Sequence, residues 1–215
     1  MFDVLITAAE WYLGGFDAER VPDFASEALE RGYSGQNLAT LASLSKPTRR
    51  EVQDFMDGAF RELRITPLTK DQAALVILDR VKCEAATGRI TAANLTGKLL
   101  LALPALEPQY LAQIKSYYGN PGNYSVFFHI VRPMVEALIT RRQKNDDLLQ
   151  LSVFIEEVCK CEDPEAVNVL WMEIFEWLVH SQREGLKYWW PSLGPSSRAI
   201  IRSVARRRRE TDNLP

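Results

Sequence analysis

Apolar residues along this chain recur at steps of three and four, the spacing of helices that bury one side, and no stretch alternates for long enough to make a strand. Val4 to Leu13 is an apolar segment carrying Trp11 and Tyr12. Gly14-Gly15 closes it, because glycine readily takes the left-handed conformation that ends a helix. Pro22, at a first-turn position, opens a second helix with Asp23 and Glu27, and Gly32 stops it. Proline lacks an N–H that would be unpaired there, and acids favour the positive end of the helix dipole. Ser34 begins a short helix with Leu38, Leu41 and Leu44. From Pro47 to Arg64, Val52, Phe55, Met56, Ala59 and Leu63 form one stripe, which Gly58 does not break.

Thr69-Lys70-Asp71-Gln72 is a capping-box pattern, and it opens a helix whose buried stripe is Ala74, Leu75, Leu78, Val81 and Ala85, ending at Gly88. Thr91 caps the next segment, which Pro104 halts, and Pro108 starts another that runs to Tyr118. The break Gly119-Asn120-Pro121-Gly122 predicts a boundary between helical halves 1–118 and 123–215, unless they form one continuous domain. Beyond it come an aromatic-rich helix (Val126, Phe127, Phe128, Ile130) with Pro133 as a kink or restart, then Asp146 to Lys160, Pro164 to about Arg183, and Pro195 to Arg209. The expected fold is all-α, a bundle of about eight to ten helices in one or two subdomains, without a repeat of fixed period.

Composition narrows the class. With 215 residues, 47% hydrophobic and 25% charged, and only 11 Gly and 11 Pro, the chain has the makeup of a globular protein with a sizeable core. No apolar run reaches the roughly 18 to 20 residues that span a bilayer, and Met1 to Gly15 lacks a basic leader, so no membrane association and a cytoplasmic location are expected. The three cysteines, Cys83, Cys159 and Cys161, are an odd number, which points to reduced thiols. Cys159 and Cys161 form a C-x-C pair, but His129 and His180 lie at no zinc-finger spacing from it, and no nucleophile signature surrounds Cys83. Phosphate-loop, dinucleotide, hydrolase-elbow and zinc-protease motifs are absent. The expectation is therefore no metal, no cofactor and no enzymatic activity.

The net charge of −2 hides a sorting of charge. From Asn145 to Glu184 there are ten acids (Asp146, Asp147, Glu156, Glu157, Glu162, Asp163, Glu165, Glu173, Glu176, Glu184) against Lys160 and Arg183, a balance of −8. From Gly185 to Arg209 there are seven bases (Lys187, Arg198, Arg202, Arg206, Arg207, Arg208, Arg209) and no acid, a balance of +7. On helical spacing, Glu165, Glu173, Glu176, His180 and Arg183 share a face with Val169 and Met172, as do Asp146, Gln150, Glu157 and Lys160 with Leu149 and Val153. An acidic face studded with apolar anchors suits recognition of a basic partner, and Glu156, Glu157, Glu165, Val169, Met172, Glu173 and Glu176 are its candidate residues. Alternatively, the acidic and basic segments pair within the fold. The run Arg206 to Arg209, comprising Arg206, Arg207, Arg208 and Arg209, offers with Arg202 a second reading, a nucleic-acid-associated regulator. Trp189-Trp190-Pro191 reads as core filling at a helix end rather than as a stacking pocket.

Three stretches stand out: Val21-Pro22-Asp23-Phe24-Ala25-Ser26-Glu27-Ala28-Leu29-Glu30-Arg31-Gly32-Tyr33, the helix end Gly88-Arg89-Ile90-Thr91, and Asp163-Pro164-Glu165 through Phe175-Glu176-Trp177-Leu178 with Leu193-Gly194-Pro195 and Arg198. Together they resemble small helical bacterial proteins of unassigned or immunity type, encoded beside polymorphic or contact-dependent toxins. After Thr91 the chain continues Ala92-Ala93-Asn94-Leu95, where such proteins carry a Pro-Tyr-Glu-Gly-like turn. The resemblance implies a non-catalytic protein that neutralises a cognate toxin by binding it.

Overall fold

The computed structural model describes residues 3–142, 146–211 and 214–215. Among the described residues there is no strand, and the chain folds into twelve helices, so the all-α expectation holds. No helix among them is long and apolar enough to cross a membrane. The chain divides into two compact units, one of residues 1–80 and 111–120, the other of 81–110 and 121–215. The break at Gly119-Gly122 coincides with one passage between units, while residues 81–110 group with the C-terminal helices.

The first unit holds α1 (Val4–Leu13), α2 (Val21–Glu30), α3 (Gln36–Ala42) and α4 (Arg49–Glu62). Asp3 caps α1 by accepting from the Ile6 N–H at 3.1 Å, and Gly14 ends it in the left-handed region at φ 99°. Arg49 then secures that end. Its guanidinium donates to the carbonyls of Trp11, Gly14 and Phe16 at 3.0, 3.2 and 3.1 Å and lies 4.3 Å over the Trp11 ring. Trp11, Phe16, Phe24, Leu38, Leu41, Met56 and Phe60 fill the core between these helices. The capping box at Thr69 and Gln72 opens α5 (Lys70–Ala85) as expected, with bonds of 2.8 and 3.2 Å.

In the second unit, Gly97 of α6 (Leu95–Ala102) lies so close to α5 that a Cβ there would fall 2.3 Å from the Val81 carbonyl oxygen. This close packing groups the end of α5 with α6. After α7 (Glu107–Tyr117), α8 runs over 123–141, α9 over Asp146–Lys160, α10 over 164–181, α11 over Arg183–Trp189 and α12 over Pro195–Arg208. Trp189 is fully buried, and its indole N–H donates to the buried Ser152 hydroxyl at 2.7 Å, the arrangement that lets a tryptophan fill a core without stranding its polar atom. Trp190 is only half-buried, and Arg198 and Arg202 lie 5.6 and 5.5 Å over its ring.

Candidate functional site

Two of these helices share an irregularity. Phe127–Val131 in α8 and Trp171–Phe175 in α10 are π-helical turns, with α-helix on either side of each. The turns lie 44 positions apart at both ends, Phe127 to Trp171 and Val131 to Phe175, and they pack on each other. The helices run parallel, since contacts occur in the same order along both. The Tyr124 hydroxyl donates to Glu165 and accepts from Asn168, each at 2.8 Å, and further along the Arg132 guanidinium lies 4.8 Å over the Trp177 ring. A π turn adds one residue to a helical turn and displaces the side chains around it, which is why such turns gather at functional sites.

This surface exposes large apolar side chains. Tyr124, Phe128 and Met172 are 38, 45 and 49% exposed. Phe128 follows Tyr124 by one turn and, in the 44-residue register, lies level with Met172. Arg132 also lies 5.2 Å over the Phe128 ring. Glu173 is level with His129. Desolvation raises its carboxyl pKa above the ordinary glutamate range, while the charges of Arg132 and His129 pull the other way. Burial likewise raises the Tyr124 hydroxyl, helped by its bond to Glu165. The surface is thus aromatic and thioether at its centre, with both signs of charge around it.

Of the seven residues expected to form an acidic face, Glu165, Met172 and Glu173 belong to this surface. Two are corrected. Val169 is fully buried, because the side of α10 that it occupies packs into the core. Glu156 is 8% exposed and accepts from the Ser196 and Ser197 N–H groups at 3.0 and 2.9 Å and from the Ser197 hydroxyl at 3.0 Å. It caps α12 instead of facing solvent. Desolvation alone would raise its pKa, but these bonds outweigh it and hold the carboxyl down at about 2. Glu176 turns to Arg208 and accepts from the Trp171 indole N–H at 3.1 Å, with its side chain only 18% exposed. Glu157 lies in the wall of a separate groove.

The arginine run does not make one strip. Arg207 lies 6.0 Å over Trp171, Arg208 pairs with Glu176, and Arg209 stands past the helix in the left-handed region. Arg206 is exposed, and Arg202 is stacked at Trp190. Consecutive helical residues point about 100° apart, so the four adjacent arginines face different directions, while Arg202 and Arg206, four residues apart and both exposed, share one face. Internal pairing of the acidic and basic segments is therefore partly realised, through Glu176 and Arg208.

Among the described residues no group of three or more His, Cys, Asp or Glu side chains could hold a metal ion. Cys159 is largely buried, and burial, with Glu156 and Cys161 adding to it, pushes its thiol up to about 12. The π turns were the feature that sequence reading missed. Pro133 marked an irregularity in α8, but α10 carries no proline near its own. No protein family, curated protein or solved structure matches this chain.

Proposed function

We propose that this chain is a non-catalytic interaction protein of the immunity type, which binds and neutralises a cognate bacterial toxin in the cytoplasm. The observation that carries the reading is the exposed group Tyr124, Phe128 and Met172 over the paired π turns, edged by Arg132, Glu165 and Glu173. Aromatic, methionine and arginine side chains are enriched at the centres of protein interfaces, where they bury much area at low entropic cost. Opposite charges at the edge fix orientation and raise the association rate. Of the acids first expected to occlude a basic toxin, Glu165 and Glu173 remain as the anionic part of this surface, and the aromatic side chains supply its anchors.

The test is co-expression with the toxin-like product of a neighbouring reading frame, read by growth rescue and co-purification. Phe128→Asp and Met172→Asp, both at exposed positions, are expected to weaken capture tenfold or more, on the order of 1.4 kcal/mol or greater, with helicity unchanged. Charge reversal at Glu165 and Glu173 acts mainly on the association rate and its salt dependence. Rescue and capture that survive both Asp substitutions would overturn this surface as the binding face.

A further inference from the structure

A different face of the second unit carries its own exposed apolar residues. Along α9, Asp146, Leu149, Val153, Glu157 and Lys160 are all exposed, and Leu149 and Val153 are 56 and 55% so. On a helix these five share a face. Their order is symmetric in position and opposite in charge. Val153 is central, with Asp146 seven residues before it and Lys160 seven residues after. Beside the C-terminal half of the helix is a groove of about 710 Å³, with Ile90, Ala102 and Phe154 in its apolar lining and three bases (Arg89, Lys98, Lys160) and three acids (Glu157, Glu162, Asp163) in its charged one.

We infer that α9 pairs antiparallel with α9 of a second copy of this chain, about a two-fold axis through Val153. A two-fold interface requires one patch to be its own complement, and this face meets that condition at its centre, where Val153 meets itself, and at its two ends, where Asp146 and Lys160 carry opposite charge. Antiparallel pairing sets Val153 against Val153, Asp146 against Lys160, and Leu149 along the aliphatic stem of Glu157. It also lays the N-terminal half of one α9 over the groove of the other, so that Leu149 enters between Phe154, Ile90 and Ala102. Lys160 already reaches Glu156 at 3.2 Å, yet its side chain is 59% exposed and its ammonium has further donors to give. The dipoles of two antiparallel helices also attract.

Sedimentation equilibrium of the full chain over roughly 1 to 100 μM is expected to show a reversible dimer, a range suited to an interface of modest size. Val153→Glu puts two like charges on the axis and leaves a monomer across that range. Asp146→Lys and Lys160→Asp each weaken the dimer about tenfold or more, and the two combined in one chain restore it, because the pair is re-formed with its signs exchanged. Circular dichroism checks that each variant stays helical. On a Cys83→Ser background, Val153→Cys is expected to cross-link to itself under mild oxidation. A chain that is monomeric throughout, a dimer indifferent to Val153→Glu, or a double charge swap no tighter than its single changes would overturn the proposal. Phe128→Asp lies on the other surface and leaves dimerisation unchanged, so this test is independent of toxin capture.

Discussion

Glu62 and Glu156 perform the same task in different units. Each is a carboxylate near the C-terminal end of a long helix that accepts the first N–H groups of another helix, Glu62 from Asn37 and Leu38 (both 3.0 Å) at α3 and Glu156 from Ser196 and Ser197 at α12. In both cases a glycine makes the approach possible. A Cβ at Gly35 would fall 2.0 Å from the Glu62 carboxyl carbon, and one at Gly194 would fall 2.3 Å from that of Glu156. Desolvation of the Glu62 carboxylate is likewise outweighed by its N–H donors, so its pKa is lowered. Glu156→Gln is expected to cost about 2 kcal/mol near neutral pH, the loss of a charge-assisted cap in a nearly water-free site. Because folding depresses the pKa of Glu156, this contribution is complete above about 4.5 and disappears as pH falls toward about 2. Chemical denaturation of wild type and variant should show their gap closing across that window. A gap that is constant with pH would exclude the ionised cap.

At the scale of elements, local rules determine where helices begin and end. The capping pattern at Thr69, the stop at Gly14 and the start at Pro164 all appear where the residues call for them. Pro133 follows the same rule: regular α-helix resumes at Arg132 with Pro133 in its first turn, and the irregularity that precedes it takes the form of the π turn. A proline in a helix supplies no N–H and crowds the preceding turn, and a widened turn accommodates both. In α10 a side-chain mark of the turn is the bond from Trp171 to Glu176, five residues on, a spacing that an i→i+5 turn brings together. A π turn amounts to one inserted residue, so deleting Met172 is expected to leave α10 in register beyond the turn. Thermal unfolding should stay cooperative, with a midpoint within about 4 °C of wild type, near the shift produced by 1 kcal/mol in a chain of this size. Toxin capture should be lost. Deleting Val153 from the regular α9 rotates every later residue by about 100° and should abolish cooperative unfolding. Equal damage from the two deletions would contradict the insertion reading.

Across the whole molecule, charge is sorted along the sequence but partly recombined in the second unit. The basic end of α12 meets the acidic α10 at Arg208 and Glu176, just past the π turn, and Arg207 stacks on Trp171 at the start of that turn. The Arg208 side chain is 52% exposed, so water and salt screen the pair, and Arg208→Ala should destabilise the fold by no more than about 1 kcal/mol. A thermal melt that falls by much more would mean that this arginine holds α12 in place.

By itself the sequence determined that this protein is helical, roughly where each helix starts and stops, and which side of most of them is apolar, because caps, proline, glycine and side-chain periodicity act over a few residues. It also showed Leu149 and Val153 interleaved with charge on α9. Only the tertiary structure decided which polar residues were available. Glu156 and Val169 looked alike as members of a surface stripe, yet one caps a helix 40 residues away and the other is core. Burial is a property of what another segment covers, and helical spacing cannot say which helix will lie against a given face. The same reason hid the paired π turns, whose meaning comes from their facing each other across two helices.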